Sequence, residues 1–167
     1  MAEGRLVPAG PAGPDPVALL FRHVLDTRGK ALFPPGARVL EIRSAAPPAG
    51  EAFDAALSAP GALDGVDVPA LATWLAGALR PGAPLLLSVT NDRRQASPRA
   101  LRAGLGPSFG WRGSFALGVL LPAAGHAGWA AERPQLFGLL AAAESLVRRC
   151  PGFRGLGAFT VLEGFRR

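Results

Sequence analysis

Apolar residues recur along the chain with two periods, one typical of helices and one typical of strands. Spacings of three and four residues predict helices over 16–31, 68–79, 98–105 and 134–149. Short apolar runs and strict alternation predict strands over 38–42, 53–58, 85–89, 109–121 and 158–165. The segment from Pro122 to Arg133 fits neither period and is expected to be irregular. Helices alternate with strands through the first half of the chain, which predicts an α/β domain.

The residues at the helix ends support these boundaries. Asp15, Asp67 and Ser97 precede the first three predicted helices, and such side chains are favoured at N-cap positions. Each is followed by a proline that the first helical turn tolerates. The fourth predicted helix begins at Pro134 and is the strongest in the chain. Its apolar residues cover one broad face: Leu136, Phe137, Leu139, Leu140, Ala143, Leu146 and Val147.

The link between the first two predicted strands decides how they pair. Residues 44–52 are rich in proline and too few for a helical crossover, which takes a dozen or more residues. Nine extended residues still span up to about 30 Å, whereas a five-residue strand is about 17 Å long. The link is therefore compatible with parallel pairing, and an antiparallel hairpin remains open.

Composition places the chain among globular proteins. Hydrophobic residues make up 49% and charged residues 18% of the 167 residues, which suits a single domain over 15–167. Residues 1–14 are rich in Pro, Gly and Ala and are expected to form a flexible arm. The formal charge of +6 comes almost wholly from scattered arginines, so it does not favour a nucleic-acid partner. Without a secretory signal or an apolar run approaching about 18 residues, a cytoplasmic location away from membranes is expected.

One stretch resembles a known family. The pattern "RVLEI … FDAALS … L..LRPG..LLLSV" is similar to class I methyltransferases that use S-adenosylmethionine. Val39–Ile42 matches their first strand, and Phe53–Ser58 matches the strand that follows the adenine pocket. Residues 79–89 match the end of the next helix, the turn after it and the strand that follows. The resemblance covers roughly residues 17–167. It implies a reduced Rossmann-like sheet of about five strands, mostly parallel with an antiparallel C-terminal pair, flanked by helices.

The features of that family that hold the cofactor are missing. Its first strand is followed by a glycine-rich loop, because only glycine lets the backbone approach the cofactor closely. Here Glu41 is followed by a stretch with two prolines and no glycine pair, and the second and third strands of the family are absent. The resemblance therefore implies no cofactor, and no catalytic or metal-ligating residue. Remnants of the cofactor site would be Glu41, Arg43, Ser44, Ser58 and Pro60.

The deletion also predicts an open sheet edge. In the family the first strand is central, but here it would keep only one neighbour. An apolar strand with an open edge is a docking surface or an association hazard. We expect another protein, a second copy or the N-terminal arm to cover it. The predicted partner-binding residues are Arg38, Val39, Leu40, Glu41, Ile42 and Arg43.

Reactive side chains elsewhere form no constellation. His23, His126 and Cys150 have no acid at triad or ligand spacing, so no hydrolase or zinc site is expected. Cys150 is expected to be a small buried residue. Asp54 matches an aspartate that is mostly structural in the family, and Glu41 is expected to pair locally with Arg38 or Arg43. A weak basic patch, expected to be a solvated face, comprises Arg93, Arg94, Arg99 and Arg102.

Three functions follow, in order of preference. The first is a non-catalytic methyltransferase-like protein, a pseudoenzyme that binds and supports a protein partner, such as an enzyme, through the open edge. The alternative is an enzyme, either a methyltransferase whose S-adenosylmethionine site a partner completes or a catalyst of another small-molecule reaction. Its pocket would lie at the carboxyl ends of the first two strands, lined by Ser44, Ser58 and Pro60. The third, nucleic-acid binding, rests on charge alone.

Overall fold

A computed structural model describes residues 15–43, 52–91, 97–121, 127–148, 150–153 and 156–167. The helices are α1 (Pro16–Leu32), α2 (Val68–Ala78), α3 (Pro98–Leu105), α4 (Ala127–Glu132) and α5 (Pro134–Val147). The strands are β1 (Val39–Ile42), β2 (Ala55–Ser58), β3 (Pro84–Thr90), β4 (Phe109–Leu117) and β5 (Phe159–Arg166). Short 3₁₀ turns occupy Gly106–Ser108 and Pro151–Phe153. None of the described helices is both long and apolar enough to cross a membrane.

The strands form one mixed sheet in the order β1-β2-β3-β5-β4. β1 pairs with β2, and β2 with β3, in parallel, whereas β5 lies antiparallel between β3 and β4. Four of the five strands therefore run in one direction. The predicted α/β class with an antiparallel C-terminal pair is confirmed. The question left open by the proline-rich link is also answered, because Val39 stands opposite Ala55 in a parallel register.

The sheet has a hydrophobic core on each face. Leu85 and Leu87 of β3 face the core under α2 and α3, together with Leu71, Leu75 and Leu105. The residue between them, Leu86, faces the core under α1, which also contains Phe21, Leu25 and Val161. Alternate residues of a strand point to opposite faces. β3 is therefore buried on both sides, which explains why its sequence is continuously apolar.

The first three helices begin directly after the capping residues predicted from the sequence. An oxygen of the Asp15 side chain accepts a hydrogen bond from the Val17 amide at 2.9 Å, and Ser97 Oγ accepts one from the Ala100 amide at 3.1 Å. Asp67 occupies the N-cap position of α2, but its side chain makes no capping bond. Gly106 ends α3 with a φ of 64°, a conformation that glycine adopts without strain.

Two predicted boundaries are wrong. β4 ends at Leu117 rather than Leu121, because Gly118 turns the chain with a φ of 71° and the amides of Val119 and Leu120 donate to the Glu144 carboxylate. Part of the segment expected to be irregular is helical, since α4 occupies 127–132. The register of β4 against β5 shifts between Trp111 and Gly113.

Candidate functional site at the edge of strand β1

β1 lies at the edge of the sheet, and β2 is its only neighbour among the described strands. The carbonyl of Arg38 accepts from the Asp54 amide at 2.9 Å, and that of Ile42 accepts from the Ala59 amide at 3.2 Å. Alternate residues of a parallel strand direct their backbone groups to opposite sides. The N–H and C=O groups of Val39 and Glu41 therefore point away from β2. No described residue outside β2 pairs with these groups, so they form a short, open backbone edge.

The side chains of β1 hold this edge in place. Leu40 and Ile42 are 4% and 1% exposed and belong to the core under α2. Burial of such a side chain contributes roughly 1.5–3 kcal/mol, so these two residues anchor the strand. Val39 and Glu41 lie on the opposite face and are exposed. Of the predicted partner-binding residues, Leu40 and Ile42 thus anchor β1 in the core.

An ion pair stands at the end of the edge. Glu41 Oε2 accepts a hydrogen bond from Arg43 Nη2 at 2.5 Å. This bond lowers the pKa of Glu41 and raises the pKa of Arg43, with a smaller effect of the nearby Arg22 charge on Glu41. Both side chains are exposed, so water screens the pair and it adds little to stability. The predicted local pair is confirmed with Arg43 as the partner, whereas the Arg38 guanidinium lies over the Phe53 ring.

Asp54 fixes the start of β1 and β2. Its Oδ2 accepts from the Arg38 amide at 3.0 Å, and its Oδ1 pairs with Arg80 Nη1 at 2.5 Å. Phe53 is held beside it, because the Phe53 amide donates to the Ala78 carbonyl at 2.8 Å. The carboxylate thus joins β1, β2 and the end of α2, which is the structural role expected for this position.

A cavity of about 250 Å³ lies where β1 and β2 end, beneath α1. Glu41, Ser58, Pro60, Phe21 and Arg22 contribute to its lining. The predicted pocket at these carboxyl ends therefore exists, with two of its three predicted residues; the third, at 44, lies outside the described ranges. Small-molecule pockets usually measure about 300–1,000 Å³, so this cavity is small.

The hydroxyl of Ser58 is already engaged in the fold. Ser58 is fully buried, and its Oγ accepts a hydrogen bond from the Ser88 amide at 2.6 Å. This bond links β2 to β3 beyond their short backbone ladder. None of the residues that line the cavity is a histidine or a cysteine.

Apolar grooves flank the open edge on both faces. On the α1 side a groove of about 600 Å³ runs past Phe33, Val39 and Leu57. On the α2 side a cavity of about 290 Å³ is lined by Ile42, Trp74 and Leu71, among others. The indole N–H of Trp74 is buried without a hydrogen-bond partner. A chain lying along β1 would thus meet apolar surface on either side.

The remaining candidate residues are dispersed. Cys150 is exposed rather than buried, so its predicted burial is wrong; it lies just beyond α5 with its Sγ 3.7 Å from the Leu146 carbonyl. His23 is exposed on α1. Arg102 serves the fold, since its Nη2 donates to the Gly113 carbonyl at 3.2 Å. The described ranges contain no cluster of three metal-ligating side chains. The predictions for Ser44, Arg93, Arg94 and His126 concern residues outside those ranges.

Sequence reasoning missed two buried carboxylates. Glu163 of β5 forms a two-pronged pair with Arg28 of α1, at 2.5 Å from Nε and 2.8 Å from Nη2, and this hydrogen bonding raises the pKa of Arg28. Glu144 of α5 is 3% exposed and accepts two backbone amides. An isolated acid within an apolar run is the only signal of such burial that the sequence offers.

Comparison with protein-family models gives no match for this chain, and comparison with curated proteins gives none either. The likeness to methyltransferases therefore rests on the residue pattern described above. The edge of β1 and the surfaces that flank it are the features of the chain that bear on its function.

Proposed function

We propose that this chain is a methyltransferase-like protein without catalytic activity, which binds and supports another protein through the outer edge of β1. The partner adds an extended segment to this edge. In this mode of recognition, backbone hydrogen bonds supply affinity and pockets for alternate side chains supply specificity. The observation that carries the proposal is that the backbone groups of Val39 and Glu41 face away from β2, on a strand that two buried side chains hold in place.

The flanking grooves define the segment that fits. Strands covered by helices on both faces are apolar on both faces. A partner strand beside β1 would direct alternate side chains towards the groove at Val39 and Leu57 and towards the cavity at Ile42 and Trp74. The partner segment is therefore expected to be continuously apolar over about four residues, with a charged residue near the Glu41–Arg43 pair.

The charged pair also explains how an open edge is tolerated. Natural sheets protect their edges with short strands and charged side chains. β1 is only four residues long, and Glu41 and Arg43 stand at its end. Indiscriminate strand pairing is thereby limited, and a segment with complementary charge is favoured.

The enzyme alternative draws support from the cavity at the carboxyl ends of β1 and β2. Its volume of about 250 Å³ would have to grow, through residues of a partner, before it accommodated a nucleoside-containing cofactor. A calorimetric titration with S-adenosylmethionine separates the two functions. We expect no heat of binding and no rise in melting temperature; saturable binding at micromolar concentration would put the enzyme reading first.

Site-specific crosslinking tests the proposal directly. A photoreactive amino acid at Val39, in the full chain expressed in its own cells, is expected to give one discrete adduct with another protein. The same group at Leu19, which is exposed on α1, provides the matched control and should give none. Equal adducts from both positions, or an adduct only with a second copy, would contradict a specific foreign partner at this edge.

A pair of variants then tests whether a strand is added. Glu41→Pro removes an outward N–H without breaking the ladder to β2, so it should abolish the Val39 adduct. Glu41→Ala removes the same side chain but keeps the N–H, so it should retain most of the adduct. If the two variants behave alike, the side chain and not the backbone edge recognises the partner.

A further inference from the structure

Helix α5 presents an apolar face to solvent. Its leucines at 136, 139 and 146 are 40%, 67% and 75% exposed. An amphipathic helix normally buries its apolar stripe. Three further large apolar side chains near α5 in sequence are also exposed: Leu120, Phe153 and Leu156. Six of the eight large exposed hydrophobic residues in the described ranges therefore come from 120–156.

The orientation of α5 is fixed by a buried acid. The Glu144 carboxylate accepts from the amides of Val119 at 3.1 Å and Leu120 at 2.8 Å. Phe137 and Leu140 pack against the core under α1, and the rings of Phe137 and Trp129 meet edge to face at 6.3 Å. The side of the helix that carries Glu144 and Phe137 is thus attached, so the opposite side is held outward.

The outward side of α5 carries no charge. The exposed positions between the helix ends are Gln135, Leu136, Gly138, Leu139, Ala142, Ser145 and Leu146. Helices that lie on membranes carry lysine or arginine along their polar side, and α5 has neither within Pro134–Val147. A partner recognised by charge would also find no contact here. The occupant that fits is another uncharged apolar helix.

The same face is complementary to itself. The row at its centre, Gln135, Leu139, Ala142 and Leu146, has the alternating four- and three-residue spacing of a helix–helix seam. When two copies pack antiparallel about an axis between residues 140 and 141, Leu139 lies opposite Ala142 of the other copy. Leu146 then lies opposite Gln135 of the other copy. Each leucine meets a smaller or uncharged residue, as an isologous interface requires.

The net charge of the chain also favours the uncharged face of α5 as the contact between two copies. Each copy carries a formal charge of +6, so two copies repel at most orientations. A contact centred on an uncharged helix face brings no like charges together at its core. We propose that α5 is a self-association surface, through which two copies of this chain form an antiparallel helix pair. This contact is independent of the β1 edge.

The size of the contact sets the expected strength. A 14-residue helix is about 21 Å long and does not by itself reach the roughly 800 Å² per partner of a standard interface. The dimer is therefore expected to dissociate in the micromolar range, and it should be measured over a concentration series.

Sedimentation equilibrium of the full chain tests the proposal. Wild type should convert from monomer to dimer as its concentration rises through the micromolar range. Leu139→Glu and Leu146→Glu each place a charge in the seam and should weaken the dimer by about 30-fold or more, as expected for a central contact. Leu19→Glu provides the matched control, since Leu19 is 52% exposed on α1, and it should leave the dimer unchanged.

Complementary charges test the register. Leu139→Glu and Ala142→Lys should each weaken self-association, and a mixture of the two should restore a dimer that contains one copy of each. These positions are exposed, and circular dichroism of each variant confirms that it is folded. A monomeric wild type, or a dimer lost in Glu41→Pro but not in Leu139→Glu, would overturn the proposal. So would binding of monomers to anionic vesicles that Leu139→Glu abolishes.

Discussion

The pair between Arg28 and Glu163 makes a strong test of how α1 is held on the sheet. The Glu163 side chain is 10% exposed in β5, and the Arg28 side chain is 35% exposed. Two short hydrogen bonds join them. Arg28→Met keeps the aliphatic stem but leaves the Glu163 carboxylate buried without its partner. Removing one member of a buried pair costs about 3–5 kcal/mol. Because Arg28 is one-third exposed, water offsets part of the loss, and about 2–3 kcal/mol is expected.

The double variant Arg28→Met, Glu163→Leu distinguishes the net contribution of the ion pair to stability from the cost of leaving one charge buried without a partner. Replacing a buried pair with apolar residues of similar size is often neutral, so the double variant should regain most of the lost stability. Urea denaturation of the wild type, the two single variants and the double variant measures this. For a domain of this size, the single variant should also melt about 5–10 °C below wild type. If the double variant is as unstable as the sum of both single variants, Arg28 stabilises α1 by packing and the reasoning is refuted.

Two further changes test other contacts. Glu144→Ala should reduce the free energy of unfolding by about 2–4 kcal/mol in urea denaturation, because two amides lose their acceptor. Glu144→Gln keeps one acceptor oxygen and should lose less stability. An equal loss in both variants would contradict this account. Glu41→Gln removes a group whose pKa is lowered in the fold, so its stabilisation is present above the ordinary pKa of 4.5 and disappears as pH falls further. The difference from wild type should be below about 1 kcal/mol at neutral pH and vanish in acid, since the pair is exposed.

Local signals predict the elements of this fold well, because they depend on neighbours in sequence. Proline and capping residues fix the starts of α1 and α3, and the apolar run of β3 reports its burial on both faces. The apolar sequence of β1 does not itself indicate an edge position, which was expected only because the resemblance to methyltransferases implies that two neighbouring strands are absent. The resemblance that suggested this edge remains a hypothesis, whereas the edge is present in the sheet.

The sequence does not predict the orientation of α5, because contacts between residues far apart in the chain determine it. Its broad apolar face would be expected to pack on the core, and periodicity cannot tell which part of a broad face is buried. The contact that fixes this orientation joins Glu144 to two amides just after β4, more than 20 residues away in sequence. No local sequence pattern contains such a contact. Arg28 and Glu163 are likewise 135 residues apart. Long-range polar contacts between single residues leave no period in the sequence.

The chain's own residues occupy the two edges of the sheet to different extents, and this difference limits how copies and partners can assemble. Later residues of the chain occupy part of the β4 edge, since the Ala116 amide donates to the Arg148 carbonyl at 3.0 Å just after α5. The β1 edge has no such cover within the described ranges. Because α5 belongs to the β4 end, a second copy packed on it leaves both β1 edges open. If both proposals hold, the complex contains two copies of this chain and two of the partner. Leu139→Glu should then halve its mass without releasing the partner, whereas Glu41→Pro should release the partner and leave the dimer of this chain intact.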